Sequence, residues 1–510
     1  MIFNSTEFLI FFLPVVVAGF VMLARTATQR VHWLIGCSLF FYGWHDWRLI
    51  GLLVASVVVN YFAGMAVAST RSRPIMLGAI GLNLTLLGIF KYAGLFVDTV
   101  NALAGTGYSL GAIVLPLAIS FFTFQQIAYI VDIWNGVAPA KRFSHYVLFV
   151  VFFPHLIAGP LLHHGEMLTQ FDDEKTWTPK FTNFCVGLNI LVMGLAKKVL
   201  LGDSLKPVAD SIFQVAESGG PVGFVPAWIG VLAFALQIYF DFSGYSDMAI
   251  GLGRMFGVRL PANFDSPYKA TSIIDFWRRW HITLSRFLRD YLYIPLGGSR
   301  RGVTRRYVNL MAVMLLGGLW HGANWTFAIW GGLHGLYLCV NWGWRALKRR
   351  LGFGGGSAAE IVGGRVLTLL AVAVAWVFFR APDFAVGLGF IKGMAGLNGM
   401  VLPSSLQAVL AGLLPAGVTF DSQFVPGYPN RIDMMLVAAF GVLALTAPNT
   451  QQLMRHFTPV LHLEETRPSA TLSRLCWRPG LTAGLFAGLV GGLSLILAYV
   501  KPNAFIYFQF

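Results

Sequence analysis

Charge is what this chain has least of. Only 12% of its 510 residues are charged, 22 of them acidic, while 56% are hydrophobic. That charged share is about half the usual share of a soluble domain, which excludes an ordinary globular enzyme in water. Cysteine is scarce as well. Cys37, Cys185, Cys339 and Cys476 lie far apart without metal-ligand spacing, so neither a disulfide framework nor a metal site is expected. The first apolar run, Phe8 to Leu23, lacks a positive leader: Glu7 precedes it, and Arg25 and Arg30 follow. It reads as a retained helix with its N-terminus outside the cytoplasm, not a cleaved signal. No internal repeat is visible, which argues against a transporter built from two symmetric halves.

What the chain does have is apolar runs, several of about the 20 residues that cross a bilayer core of about 30 Å. Candidate spans cover 8–23, 32–44, 49–67, 75–92, 110–130, 145–158, 183–202, 223–240, 309–320, 325–342, 366–380, 432–447 and 481–500. The expected fold is an all-α polytopic membrane protein of about 11–13 transmembrane helices, some re-entrant or interfacial, forming one domain over 1–510. The net charge of +15 belongs to topology rather than nucleic acid, because basic residues recur after alternate spans. The basic loop 271–307 is placed in the cytoplasm by eight arginines, and the polar segment 449–480 is expected there too, partly at the interface.

His321 is the residue this layout makes conspicuous. It stands in Trp320-His321-Gly322-Ala323-Asn324-Trp325, at the end of an apolar run that starts near the basic loop. An ionisable side chain at membrane depth defaults to a functional hypothesis. About thirteen residues at about 1.5 Å each carry the chain roughly 20 Å from the cytoplasmic side before Gly322 turns it back. His321 is therefore expected at a hairpin tip, past the bilayer midplane. A neutral imidazole there can take a proton from a hydroxyl. His334 lies on the returning arm and can face the same space.

Three further stretches carry chemistry. Asp275-Phe276-Trp277-Arg278-Arg279-Trp280-His281, continuing to Arg286 and Arg289, interleaves aromatics with arginines. It reads either as an amphipathic segment on the membrane surface or as a site for a phosphate-bearing donor with a stacking face. The run from Tyr239 through Asp241, Ser243, Tyr245 and Asp247 puts two carboxylates at the end of an apolar span. They read as a hydrogen-bonded network shaping a broken helix, or as groups that orient a histidine. Phe153-Pro154-His155, with Gly159, Pro160, His163 and His164 beyond it, reads as a kinked wall rather than a metal site.

Together these stretches resemble the membrane-bound O-acyltransferase family, closest to its bacterial polysaccharide branch typified by alginate O-acetylation. The resemblance rests on Tyr239 to Gly253, Phe276 to Ser285, Gly317 to Asn324, Phe153 to Pro160 and the C-terminal Phe505 to Phe510. It is weakest over 350–480. It implies a helix bundle around a central tunnel and acetyl-CoA entering from the cytoplasm as donor substrate, with no permanently bound cofactor. It places the family's histidine on His321 and its second active-site position on His281. On those terms His321 is a general base, while His281 polarises the thioester carbonyl or positions the donor. Arg278, Arg279, Arg286, Arg289 and Trp277 hold the donor; Tyr239, Asp241, Ser243, Tyr245, Asp247, Trp320, Asn324 and His334 support the tunnel.

The same resemblance implies the bacterial inner membrane, an SGNH-like periplasmic acetyltransferase or other acetylation subunit as partner, and a secreted exopolysaccharide as final acceptor. Alginate and cellulose stay open, as does acylation of peptidoglycan or teichoic acid. The aromatic C-terminus is expected to form part of the partner's docking surface. A transporter or a scaffold of a secretion complex remains the alternative if His321 proves dispensable.

Overall fold

The computed structural model describes residues 1–111, 113–157, 159–352, 356–402, 407, 418–420, 427–461, 476–501, 503 and 505–506. In chain order the helices are α1 (Glu7–Leu23), α2 (Ala27–Gly43), α3 (Leu49–Thr70), α4 (Arg73–Ala104), α5 (Ile119–Trp134), α6 (Phe143–Val151), α7 (Phe153–Leu156) and α8 (His164–Asp172). There follow α9 (Phe181–Glu217), α10 (Phe224–Met255), α11 (Ile273–Arg279), α12 (Ile282–Leu288), α13 (Val303–His321) and α14 (Trp325–Arg350). The last described are α15 (Ala358–Arg380), α16 (Phe384–Met394), α17 (Arg431–Thr446), α18 (Thr450–Leu453) and α19 (Leu481–Val500). Two-residue strands, Met400–Val401 and Val418–Thr419, pair in parallel. The protein is an all-α polytopic membrane protein. Among the described residues α3, α4, α9, α10, α15 and α19 are long and apolar enough to span, and α1 and α16 are shorter apolar helices.

The centre of the bundle is α10. Its 32 residues are buried along most of their length. Side-chain-free crossings let α9 lie directly on it. A Cβ on Gly194 would fall 2.5 Å from the Gly244 carbonyl, and one on Gly187 would fall 2.5 Å from that of Gly251. Small residues at such crossings are how helices associate in lipid, where burial of apolar surface gives no net drive.

Three spans differ from the sequence expectation. The run 223–240 was expected to end in a broken helix at Asp241, but α10 continues unbroken to Met255. The carboxylates there are paired across to α9: Lys198 Nζ lies 3.1 Å from Asp241, and Lys197 Nζ lies 2.5 Å from Asp247. The run 110–130 becomes helical only at Ile119, after Pro116 and a left-handed Ala118 (φ 60°). The run 145–158 divides at Phe152, where Pro154 cannot supply the N–H that would continue α6.

The polar segment is also tied in more firmly than an interfacial one. Thr450 Oγ1 and Gln451 Nε2 donate to Asp247 at 2.6 and 2.9 Å, and Asn449, Thr450 and Gln451 are buried. Its residues 462–475 lie outside the described part. The C-terminal run is likewise no surface feature where it is described. Phe505 stacks on Tyr245 (4.4 Å between ring centres), and the Ile506 N–H donates to Asp241 at 2.8 Å. Residues 507–510 lie outside the described part.

Candidate active site

The hairpin expected around His321 is present. His321 is the last residue of α13, Gly322 is extended, and the Asn324 side chain accepts from the Thr326 N–H (3.0 Å) to start α14. The two arms touch backbone to backbone: a Cβ on Gly318 would lie 2.2 Å from the Phe327 carbonyl, so only glycine fits. The imidazole is buried and faces Trp320, Trp330 and Phe379, with ring centres 4.9, 5.1 and 5.3 Å away.

Folding brings His281 to the same place. Its ring centre lies 6.4 Å from that of His321 and 6.0 Å from that of Trp320, although forty positions separate the histidines in the chain. His281 occupies the turn between α11 and α12 in the left-handed region, with φ 43° and ψ 55°. That conformation costs a non-glycine residue about 1–2 kcal/mol, and such strain is typical of functional positions. Asn263 secures the turn. Its carbonyl accepts from the Ile282 N–H (2.9 Å), and its Oδ1 lies 3.0 Å from His281 Nδ1. His334 joins one layer further out, where Trp277 Nε1–H donates to its Nδ1 (3.3 Å).

Two cavities share α13. The larger, of about 1100 Å³, is lined by Leu310, Val313 and Met314 of that helix and by Trp277, Arg278, Arg279, Arg286 and Arg289. The smaller, of about 730 Å³, opens beside Trp320 and His321, with Lys91, Ser120, His45 and Glu7 in its wall. Leu310 and His321 are eleven residues apart, about 16 Å along a helix. An aromatic cluster lies beside the stretch between them: Phe124 stacks on Phe287 (4.4 Å) and on Trp320 (5.5 Å).

The arginines differ in what they hold. Arg279 pairs with Asp275 (2.9 Å) and Asp265 (3.3 Å), Arg286 with Glu166 (2.6 Å), and Arg289 with Asp290 (2.7 Å). Arg278 is exposed and has no ion pair among the described residues. Beside them, burial and the Arg286 charge push the His163 imidazole below its ordinary value. His163 Nδ1 lies 3.0 Å from the Tyr291 hydroxyl, which donates to Asp132 (2.8 Å).

The sequence of the membrane-bound O-acyltransferase family, as a profile, matches residues 141–380. The chain is 37% identical to the probable alginate O-acetylase of Pseudomonas putida, over 100% of both chains. The chain belongs to the membrane-bound O-acyltransferase family. It is also 42% identical to the peptidoglycan O-acetyltransferase of Helicobacter pylori, over 79% of this chain and 81% of that one. A teichoic acid D-alanyltransferase of Streptococcus thermophilus is 27% identical over 46% of this chain and 59% of its own length.

For this membrane-bound O-acyltransferase, the expected site residues divide. His321, His281, Trp320 and His334 converge, and the four arginines and Trp277 line one cavity. Tyr239, Asp241, Ser243, Tyr245 and Asp247 line neither cavity; they lie on α10 against its neighbours, and among the described residues neither carboxylate bonds a histidine. Asn324 serves as a helix cap and donates to the Pro382 carbonyl (2.8 Å), so its part is structural. In the stretch Asp275 to Tyr291, Phe276, Trp277, Trp280 and His281 are buried while Arg278 and Arg289 are exposed, the two-faced pattern of an amphipathic segment.

Sequence reading missed Asn263 and Lys91. Lys91 Nζ donates to the carbonyls of Trp320 and His321, the latter at 3.4 Å, and so caps the turn that carries the histidine. A cation at a helix C-terminus is favoured by the helix dipole. One signal for it was available: a lone lysine inside an apolar span. Asn263 had none.

Proposed function

We propose that this O-acyltransferase takes an acetyl group from cytoplasmic acetyl-CoA and passes it across the inner membrane for O-acetylation of a secreted exopolysaccharide. A periplasmic SGNH-like acetyltransferase, or another acetylation subunit, completes the transfer. The observation that carries this reading is the pair His321 and His281, 6.4 Å apart between ring centres, with His321 at the tip of a hairpin whose opposite end lines an arginine-rich cavity. Guanidinium groups beside an indole suit the phosphates and adenine of a coenzyme thioester. The site then needs a base where the acyl acceptor arrives, and His321 borders the second cavity.

His321 acts as general base on the acceptor hydroxyl. As the O–H proton moves to the imidazole, the oxygen attacks the thioester carbonyl. The C–S bond breaks, and the thiolate takes the proton back from the imidazolium. General base assistance of this kind is worth about 10²–10⁴ in rate. The N-terminus lies on the periplasmic side.

The test compares acetate ester in the secreted polymer from three strains: intact chain, no chain, and His321→Ala at matched membrane abundance. Ester lost in both of the latter supports the reading. Ester lost only without the chain points to a scaffold or transport role instead. Peptidoglycan is the second acceptor to assay, because a peptidoglycan O-acetyltransferase is 42% identical over 79% of this chain.

A further inference from the structure

A short run of hydrogen bonds decides which nitrogen of His281 carries its proton. The Leu161 backbone N–H, a donor that cannot reverse, points at Thr283 Oγ1 (3.0 Å). The Thr283 hydroxyl proton is thereby directed onto Asn263 Oδ1 (2.9 Å), which also receives the Thr283 N–H (3.4 Å). On its other side Asn263 Nδ2 donates to Ser246 Oγ (3.3 Å). Asn263 therefore turns its oxygen, not its amide N–H₂, toward His281, and His281 Nδ1–H donates to it across 3.0 Å. In a neutral imidazole the other nitrogen is then a bare lone pair.

That lone pair is buried beside His321; His281 itself lines neither cavity, while His321 borders the smaller one. His281 is 0% exposed, and its Nε2 has no hydrogen-bond partner among the described residues. Its ring faces Trp320 and His321 across 6.0 and 6.4 Å. A buried acceptor left unfilled is costly, as it is for a group whose partner is the substrate. The backbone adds its own constraint, since the Ile282 N–H bonded to the Asn263 carbonyl holds the left-handed turn.

We propose that Asn263 is a positioning residue that locks His281 as its Nδ1–H tautomer, making Nε2 the hydrogen-bond acceptor for a substrate N–H or O–H. The proposal rests on the reading of His281 and His321 as one site. It also separates the two roles expected for His281. A locked neutral ring has no proton at Nε2 to give a carbonyl oxygen, so polarising the thioester carbonyl falls away and positioning remains. Two substrate groups have the required chemistry: the hydroxyl of the acyl acceptor, whose one proton then goes to His281 in place of His321, and the amide N–H two carbons from the sulfur of a pantetheine thioester, which leaves the acceptor proton to His321.

The test uses the full chain in its membrane, with Asn263→Leu, Asn263→Asp, His281→Ala and the Asn263→Leu/His281→Ala double variant at matched abundance. Thiol release from acetyl-CoA and cellular ester content are the readouts. Asn263→Leu is expected to lose at least tenfold. Asn263→Asp is expected to keep most activity, because a carboxylate accepts the same protons. The double variant is expected to be no worse than His281→Ala, since what Asn263 positions is already gone.

A fall in kcat with the thioester KM unchanged assigns the lone pair to the acceptor hydroxyl. A rise in KM with kcat kept assigns it to the pantetheine amide. A fully active Asn263→Leu, an inactive Asn263→Asp, or losses that multiply in the double variant would overturn the lock. Full activity in His281→Ala would instead remove the site reading beneath it.

Discussion

The two cavities along α13 are built on opposite principles. The larger is walled by charge, most of it already spent within the wall: Arg279, Arg286 and Arg289 each face a carboxylate, one of which, Glu166, arrives from 120 positions away. The smaller is walled mainly by apolar side chains, Trp44, Phe121 and Trp320 among them, with Glu7 and His45 beside them, and its lysine, Lys91, is bonded to helix carbonyls. Solvent-accessible ion pairs contribute little individually. A histidine packed between Trp320, Trp330 and Phe379 has one place to be. On the proposed function, one side binds and releases a charged donor, and the other holds a reacting group still.

The largest expected effect breaks the fixed side. His321→Ala should lower ester transfer by at least about 100-fold, the lower end of general base assistance, with membrane abundance unchanged. A residual rate near that of the intact chain would erase the distinction between the cavities. Next, Gly318→Leu should drive the hairpin arms apart, because the Phe327 carbonyl lies 2.2 Å from where its Cβ must go. Loss of folded protein, read by detergent-extracted yield and thermal unfolding, is the expected result.

A finer cut separates capping from charge at Lys91. Lys91→Met should reduce kcat about tenfold, an effect of about 1.4 kcal/mol on positioning, while Lys91→Arg restores most of it. Equal rates in both variants would mean that the turn holds His321 without a cap. The smallest effects belong to the arginine cavity. Arg278→Ala should raise the KM for acetyl-CoA several-fold. Arg286→Ala, which mainly strands Glu166, should cost stability more than donor affinity. The reverse ranking would show that ion pairing does not decide which guanidinium meets the donor.

Much of this contrast was legible in the sequence, though unevenly. The position of His321 at a hairpin tip followed from an apolar run, a glycine turn and a second run, because helix rise and bilayer thickness limit where such a chain can go. The arginines announced a basic face. Their neutralisation did not, since Glu166 and Asp265 are separated from Arg286 and Arg279 by 120 and 14 positions. The same blindness turned Asp241 and Asp247 into a supposed helix break: Lys197 and Lys198, which pair with them, come from α9. Asn263 gave no signal, because a single asparagine in a polar stretch ordinarily means a turn.

The sequence by itself determined the solvent, the helical class, the family and the histidine at the hairpin tip. Each follows from composition, periodicity and motifs that act over tens of residues. Tertiary structure alone decided how closely His281 approaches His321, that Asn263 bonds its ring, and that Lys91 caps the turn that carries His321. Those facts depend on hydrogen bonds and ring contacts a few ångströms long between residues far apart in the chain, and no local pattern records where such partners will meet.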